Sequence, residues 1–168
     1  QLFGEIRISP HIPVMIRPED LLCPTPKGLY CPPGDFYIDP VRSGVDRAVV
    51  THGHSDHARA GHGSVLATPE TLEAMATRYG QNFAQSRQLA PYGATTRIGD
   101  VDVRLVPAGH VIGSAQVEVK WKGFTMVCTG DYKRRADPTC APFEVIPCNV
   151  FISEATFALP VFRHPDSP

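Results

Sequence analysis

The segment Thr51-His-Gly-His-Ser-Asp-His57 constrains this chain more than any other. It follows the apolar triplet Ala48-Val49-Val50 and sets three imidazoles and one carboxylate within positions 52–57. With 7 histidines in 168 residues, such a grouping arises by chance with odds on the order of 10⁻³. Alternation along an extended strand end would aim His52 and His54 the same way, with Asp56 and His57 on the turn that follows, facing the same pocket. Neutral imidazole and carboxylate are the usual Zn²⁺ donors, at about 2.0–2.2 Å. The spacing therefore predicts a buried strand that delivers its end to a metal pocket, two nitrogens toward one ion and an oxygen and a nitrogen toward a second. The competing reading is a solvated, histidine-rich loop. The remaining donors in the chain argue against it.

A layered α/β pattern surrounds this segment. Short strands are expected at 29–31 and 36–39 around the hairpin turn Pro32-Pro33-Gly34-Asp35, then at 45–51, leading into the histidines, and at 64–67. Thr68-Pro69-Glu70 opens a helix that runs to Tyr79, with Thr68 as N-cap, Pro69 at the first helical position and Gly80 as the stop. A short helix after His57 is a further expectation. Strands follow at 88–92, 95–98, 101–106, 115–121, 124–129 and 148–153, with Lys122-Gly123 as a tight turn. The stretch Val101-Asp-Val-Arg-Leu-Val alternates as a half-buried strand should.

Composition narrows the function classes. The net charge is -1, so no global field marks a nucleic-acid binder and such a role must rest on a local patch. The densest basic run is Tyr132-Lys133-Arg134-Arg135; it reads either as a phosphate contact or as a solvated basic loop. Five cysteines without a CxxC pair argue against a disulfide framework or a zinc ribbon, and read as small buried hydrophobes in a reducing, cytoplasmic setting. No apolar run reaches the roughly 18 residues of a membrane helix, so no membrane role is expected. Trp121 and Tyr92 could stack bases, but packing is the better default.

Two more strand ends carry donors. Pro107-Ala-Gly-His110 places a third nitrogen after one strand, with Gly109 and Gly113 allowing close backbone approach. Thr129-Gly-Asp131 places a carboxylate after another; a carboxylate can bridge two metals, whereas a turn aspartate is the ordinary alternative. The ordered set Asp39, His52-x-His54-x-Asp56-His57, His110 and Asp131 resembles the first four motifs of the metallo-β-lactamase superfamily. Phe151-Ile-Ser-Glu-Ala-Thr-Phe157 resembles the acidic motif that opens its β-CASP branch of nucleic-acid nucleases. Leu29-Tyr-Cys-Pro-Pro-Gly-Asp-Phe-Tyr-Ile-Asp39 and Gly130-Asp-Tyr-Lys-Arg-Arg135 are similar to the bacterial ligase-associated DNA exonucleases, over roughly Arg17 to Pro165.

The resemblance implies an αββα sandwich and two zinc sites, with manganese as a substitute. His52, His54 and His110 would hold one metal, Asp56 and His57 the other, and Asp131 would bridge them. Asp39 would orient a ligand through a hydrogen bond. Asp56, Asp131 and Glu154 would serve catalysis, Glu154 by aligning a histidine of the β-CASP domain. The reaction implied is hydrolysis of DNA, single-stranded or end-containing, with a DNA ligase and a helicase as partners; Lys133, Arg134 and Arg135 would meet phosphates. RNA processing, another hydrolysis on this fold, and a non-catalytic metal-binding fragment are the alternatives. Residues 1–14 read as an extension or disordered N-terminus, and 15–168 as the N-terminal portion of the domain, ending near the β-CASP insertion point. The sandwich is then incomplete at its C-terminus: the family's later histidines have no counterpart and His164 reads as a loop residue. Such a portion is expected to expose apolar surface and to be a weak nuclease alone.

Overall fold

The computed structural model describes residues 15–156 and 158. The expected N-terminal extension and His164 lie outside the described residues. Two sheets face each other. The first has six strands in sequence order: β1 (Cys23–Thr25), β2 (Gly28–Cys31), β3 (Phe36–Ile38), β4 (Arg47–Val49), β5 (His62–Ala67) and β6 (Ala84–Leu89). The second has five, in the order β11 (Val150–Ile152), β10 (Phe124–Cys128), β9 (Ala115–Trp121), β8 (Val101–Pro107), β7 (Thr95–Ile98). A short helix, α1 (Pro18–Leu21), precedes the first sheet, and α2 (Pro69–Tyr79) links β5 to β6.

Burial follows the alternation in the sequence. Val101, Val103 and Leu105 of β8 point inward with Val117 and Val119 of β9, and meet Phe36, Ile38, Val49 and Leu66 of the first sheet in one core between the sheets. The other face of the first sheet turns Ala48, Val65 and Ala67 toward Leu72, Met75 and Ala76 of α2, a second core beneath the helix. Helix α2 begins as its caps dictate: the Thr68 hydroxyl accepts the Thr71 N–H, Pro69 stands at the first position, and Gly80 ends the helix at φ 83°.

The outer face of the second sheet combines charged and apolar side chains. It carries a charged ladder, in which Glu118 is paired with both Arg104 and Lys120. The segment 144–149 crosses this face, with Gln116 Nε2 donating to Glu144 O, Glu144 N to Pro107 O and Asn149 N to Thr125 O. Val106 and Val127 on the same face are buried. The described part of this face is therefore mixed: the charged pairs and the segment 144–149 lie over it, while Phe151, which shares the face with Val127, and Val145 within the crossing segment are exposed.

Three element assignments also move. The residues after His57, 58–61, run as a loop into β5 and form no helix. The strand expected at 88–92 lies earlier, at Ala84–Leu89, where parallel pairing with β5 sets its register (Leu66 opposite Gln88). Strand β4 stops at Val49, so His52 and His54 sit in a loop past the strand end. No helix among the described residues is long and apolar enough to cross a membrane. Cys31 is fully buried and the other four cysteines are half-buried, all as free thiols.

Candidate metal centre

Every candidate residue sits just past the C-terminal end of a strand, at one edge of the sandwich. Asp39 follows β3, the histidine segment follows β4, His110 follows β8, Asp131 follows β10 and Glu154 follows β11. In layered α/β folds polar sites gather at strand ends, where backbone groups leave the ladder and side chains can converge. One bond joins the layers here, Ala115 N donating to Thr51 O at 2.8 Å, and Thr129 N donates to Ile152 O at 3.0 Å to extend the pairing of β10 with β11 toward Asp131.

His52, His54, His110 and Asp131 each offer a ligand atom within 4.8 Å of the others. His52 Nε2 lies 3.0 Å from His54 Nδ1, and His110 Nε2 lies 3.2 Å from the same nitrogen. Asp131 Oδ2 is 3.8 Å from His52 Nε2 and 3.6 Å from His110 Nε2. Donors at about 2.0–2.1 Å from a tetrahedral ion are separated by roughly 3.3 Å. The observed spacings scatter about that edge length, so this donor set fits a tetrahedral ion, by distance and by chemistry.

Asp56 and His57 form a second group beside the first. The His57 Nε2 atom lies 3.4 Å from Asp131 Oδ1 and 3.7 Å from Asp56 Oδ2. The two oxygens of Asp131 thus face different donor sets, Oδ2 the three-histidine group and Oδ1 the His57 group. The most exposed donor belongs to the second group, Asp56 at 73%, whereas the first group runs from fully buried His52 to exposed His54.

The protonation states of His52 and His110 suit metal binding. Burial pushes His52 down to about 3 and also lowers His110, so both imidazoles are neutral near pH 7. His57 moves the other way, because its Nδ1 donates to Asp39 Oδ2 at 2.8 Å. Asp39 itself, at φ 43°, accepts from Thr51 N at 2.8 Å and from the Thr51 hydroxyl at 2.6 Å. It therefore stands behind His57 and turns the free nitrogen of that ring toward Asp131.

Two supporting residues carried no role in the sequence reading. Ser114 Oγ accepts the backbone N–H of His110 at 3.0 Å and of Val111 at 3.1 Å, which holds the loop that presents His110. A hydroxyl four residues after a glycine-flanked histidine was the signal. Thr51 is the other. The glycines of that loop are needed for space: a side chain at Gly113 would come within 2.9 Å of the Thr68 hydroxyl, and one at Gly109 would strike Phe143 N at 2.9 Å.

Glu154 accepts from Tyr132 N at 3.2 Å and from Thr156 N at 3.4 Å, and lines a cavity with Tyr132 and Thr156. The basic run divides. Lys133 Nζ is paired with Asp137 at 2.9 Å, whereas Arg134 and Arg135 are exposed and make no ion pair among the described residues. Tyr92 donates to Ser114 O at 2.8 Å and packs on the core, as does Trp121, so both serve packing.

No protein-family model matches the chain. A probable DNA ligase of Opitutus terrae is 31% identical over 140 residues, 82% of this chain and 13% of that protein. A UPF0173 metal-dependent hydrolase of Halorubrum lacusprofundi is 29% identical over 143 residues, 77% of this chain and 55% of that one. Endoribonuclease ysh1 of Aspergillus fumigatus is 34% identical over 71 residues, 40% of this chain and 8% of that protein. The chain thus spans little more than half of the hydrolase and a small part of the other two. With its four motifs gathered at one strand edge and these relatives in sequence, the chain belongs to the metallo-β-lactamase superfamily.

Proposed function

We propose that this chain forms the metal-binding part of a β-CASP-type nuclease that hydrolyses DNA phosphodiesters, acting on single-stranded or end-containing substrates. The observation that carries the reading is the divided carboxylate: Asp131 Oδ2 faces His52 and His110 while Oδ1 faces His57. In this reading His52, His54 and His110 would hold one zinc and Asp56 and His57 a second, and Asp131 would serve both with its two oxygens. A zinc pair supplies a lowered water pKa and charge neutralisation at the scissile phosphate. The protein's own groups do the rest. Neutral His52 and His110 keep their lone pairs available, and Asp39 and Ser114 hold His57 and the His110 loop in place. Arg134 and Arg135 meet the backbone phosphates, and Glu154 aligns a histidine of the β-CASP domain.

DNA is favoured by the match to the DNA ligase-named protein, which covers most of this chain. A ligase and a helicase are the partners proposed. The matched region of the named endoribonuclease favours a second reading, RNA cleavage. The test uses the full protein, stripped of metal and reloaded with zinc or manganese, on matched single-stranded DNA, duplex DNA, RNA and a thioester. Metal-dependent turnover fastest on DNA supports the proposal. Faster turnover of RNA or of the thioester overturns it.

A further inference from the structure

Thr51 is 1% exposed, yet its side chain and backbone make four polar contacts at the strand end. The hydroxyl lies 2.6 Å from Asp39 Oδ2 and 3.0 Å from His52 Nδ1. A hydroxyl has a single proton to give. Ionised Asp39 can only accept, so the proton goes to Asp39 and an oxygen lone pair is left for His52. The contact then requires that His52 carry its proton on Nδ1. That leaves the lone pair on Nε2, the atom 3.0 Å from His54 Nδ1 and 3.8 Å from Asp131 Oδ2. On the far side, Asp39 Oδ2 also takes the His57 Nδ1 proton at 2.8 Å, so His57 likewise presents Nε2. One hydroxyl therefore links the ring orientation of His52 to that of His57, one from each donor group. The loop carrying Asp131 comes against the same side chain: a methyl at Gly130 would lie 2.6 Å from Thr51 Oγ1 and 2.9 Å from its Cγ2.

We propose that Thr51 is a positioning residue for both halves of the centre, selecting the His52 tautomer and holding Asp39 so that His57 faces Asp131. The proposal rests on reading the cluster as a metal centre. Buried hydrogen-bond partners of metal-binding histidines typically set affinity by about 10–100-fold.

The experiment compares the full protein with Thr51→Val, which keeps the shape and removes the hydroxyl, and Thr51→Ser, which keeps the hydroxyl. Zinc affinity is measured by competition with a chromophoric chelator, without nucleic acid. Long-range ¹H–¹⁵N correlations read the tautomer of His52. Thr51→Val should bind zinc about 10–100-fold more weakly and Thr51→Ser should match the parent, whose His52 carries its proton on Nδ1. Parent-like zinc affinity in Thr51→Val overturns the proposal. So does a parent His52 protonated on Nε2, a result that holds even if Thr51→Val fails to fold. A parent that binds no zinc overturns the metal-centre reading itself, and the proposal with it. A nuclease assay that fails while these affinities differ touches only the proposed substrate.

Discussion

Replacing Asp39 by asparagine should cost stability in the metal-free protein, in a pH-dependent way. Three donors end on this carboxylate: Thr51 N at 2.8 Å, Thr51 Oγ1 at 2.6 Å and His57 Nδ1 at 2.8 Å. The Asp39 side chain is only 15% exposed, so water replaces it poorly. Hydrogen bonds to a charged group are worth about 1.5–3 kcal/mol each, and a buried donor left unpaired costs a similar amount. Asparagine keeps one acceptor oxygen and turns an NH₂ toward the remaining donors. A net loss of about 2–4 kcal/mol follows. At roughly 2–4 °C per kcal/mol for a chain of this size, Tm should fall by about 5–15 °C. The pH dependence adds a sign. His57 is raised above its ordinary value of 6.5, chiefly by its bond to Asp39. That contribution is present in full below about 6.5 and fades as pH rises through the folded-state value. The gap in Tm between parent and Asp39→Asn should therefore be wider near pH 6 than near pH 9. Thermal melts of chelator-treated protein across that range decide it. Equal Tm values, or a gap that widens with pH, would refute the reasoning.

Two other outcomes follow from the same geometry. Arg134→Ala with Arg135→Ala should shrink the log–log salt slope of single-stranded DNA binding by about 1.4, near 0.7 per lost contact. Adding Lys133→Ala should change the slope little, because Asp137 already neutralises it; binding titrations over a salt series read both. His62 is buried with both ring nitrogens unpartnered among the described residues, and burial lowers its pKa. Its neutral form is the one the fold accepts, so this contribution is present above about 6.5 and lost as pH falls through the folded-state value. His62→Leu should consequently lose less stability on acidification than the parent, as denaturant melts at several pH values would show.

The strongest local signals in the sequence were reliable. Helix α2 begins and ends where Thr68, Pro69 and Gly80 dictate, and the hairpin closes around Pro32–Asp35 because those turn residues allow little else. The donors were legible as a set, since His, Asp and spacing carry chemistry that packing does not need. Strand β6 was harder to place: Ala84-Gln-Ser-Arg-Gln-Leu89 is a mostly exposed edge strand with no apolar alternation, and its register is decided by pairing with β5. The pattern of His52 and His54 pointed to the right convergence for the wrong local reason, because a loop rather than a strand brings them together. Thr51 was invisible as a functional residue, since its importance lies in two partners, one of them twelve positions away at Asp39. The pairing of Lys133 with Asp137 was not legible in the basic run, which read as a phosphate contact or a solvated loop.

The central claim is that Asp131 joins two metal sites. Its most direct test is zinc titration by calorimetry into metal-stripped full protein, parent against Asp131→Ala, with metal content measured after dialysis. The parent should bind two ions per chain, the three-histidine site more tightly than the site at Asp56 and His57. Asp131→Ala should weaken both steps, since each of its oxygens faces one donor group. Unchanged stoichiometry and affinity in Asp131→Ala would make Asp131 an ordinary turn residue and contradict the account.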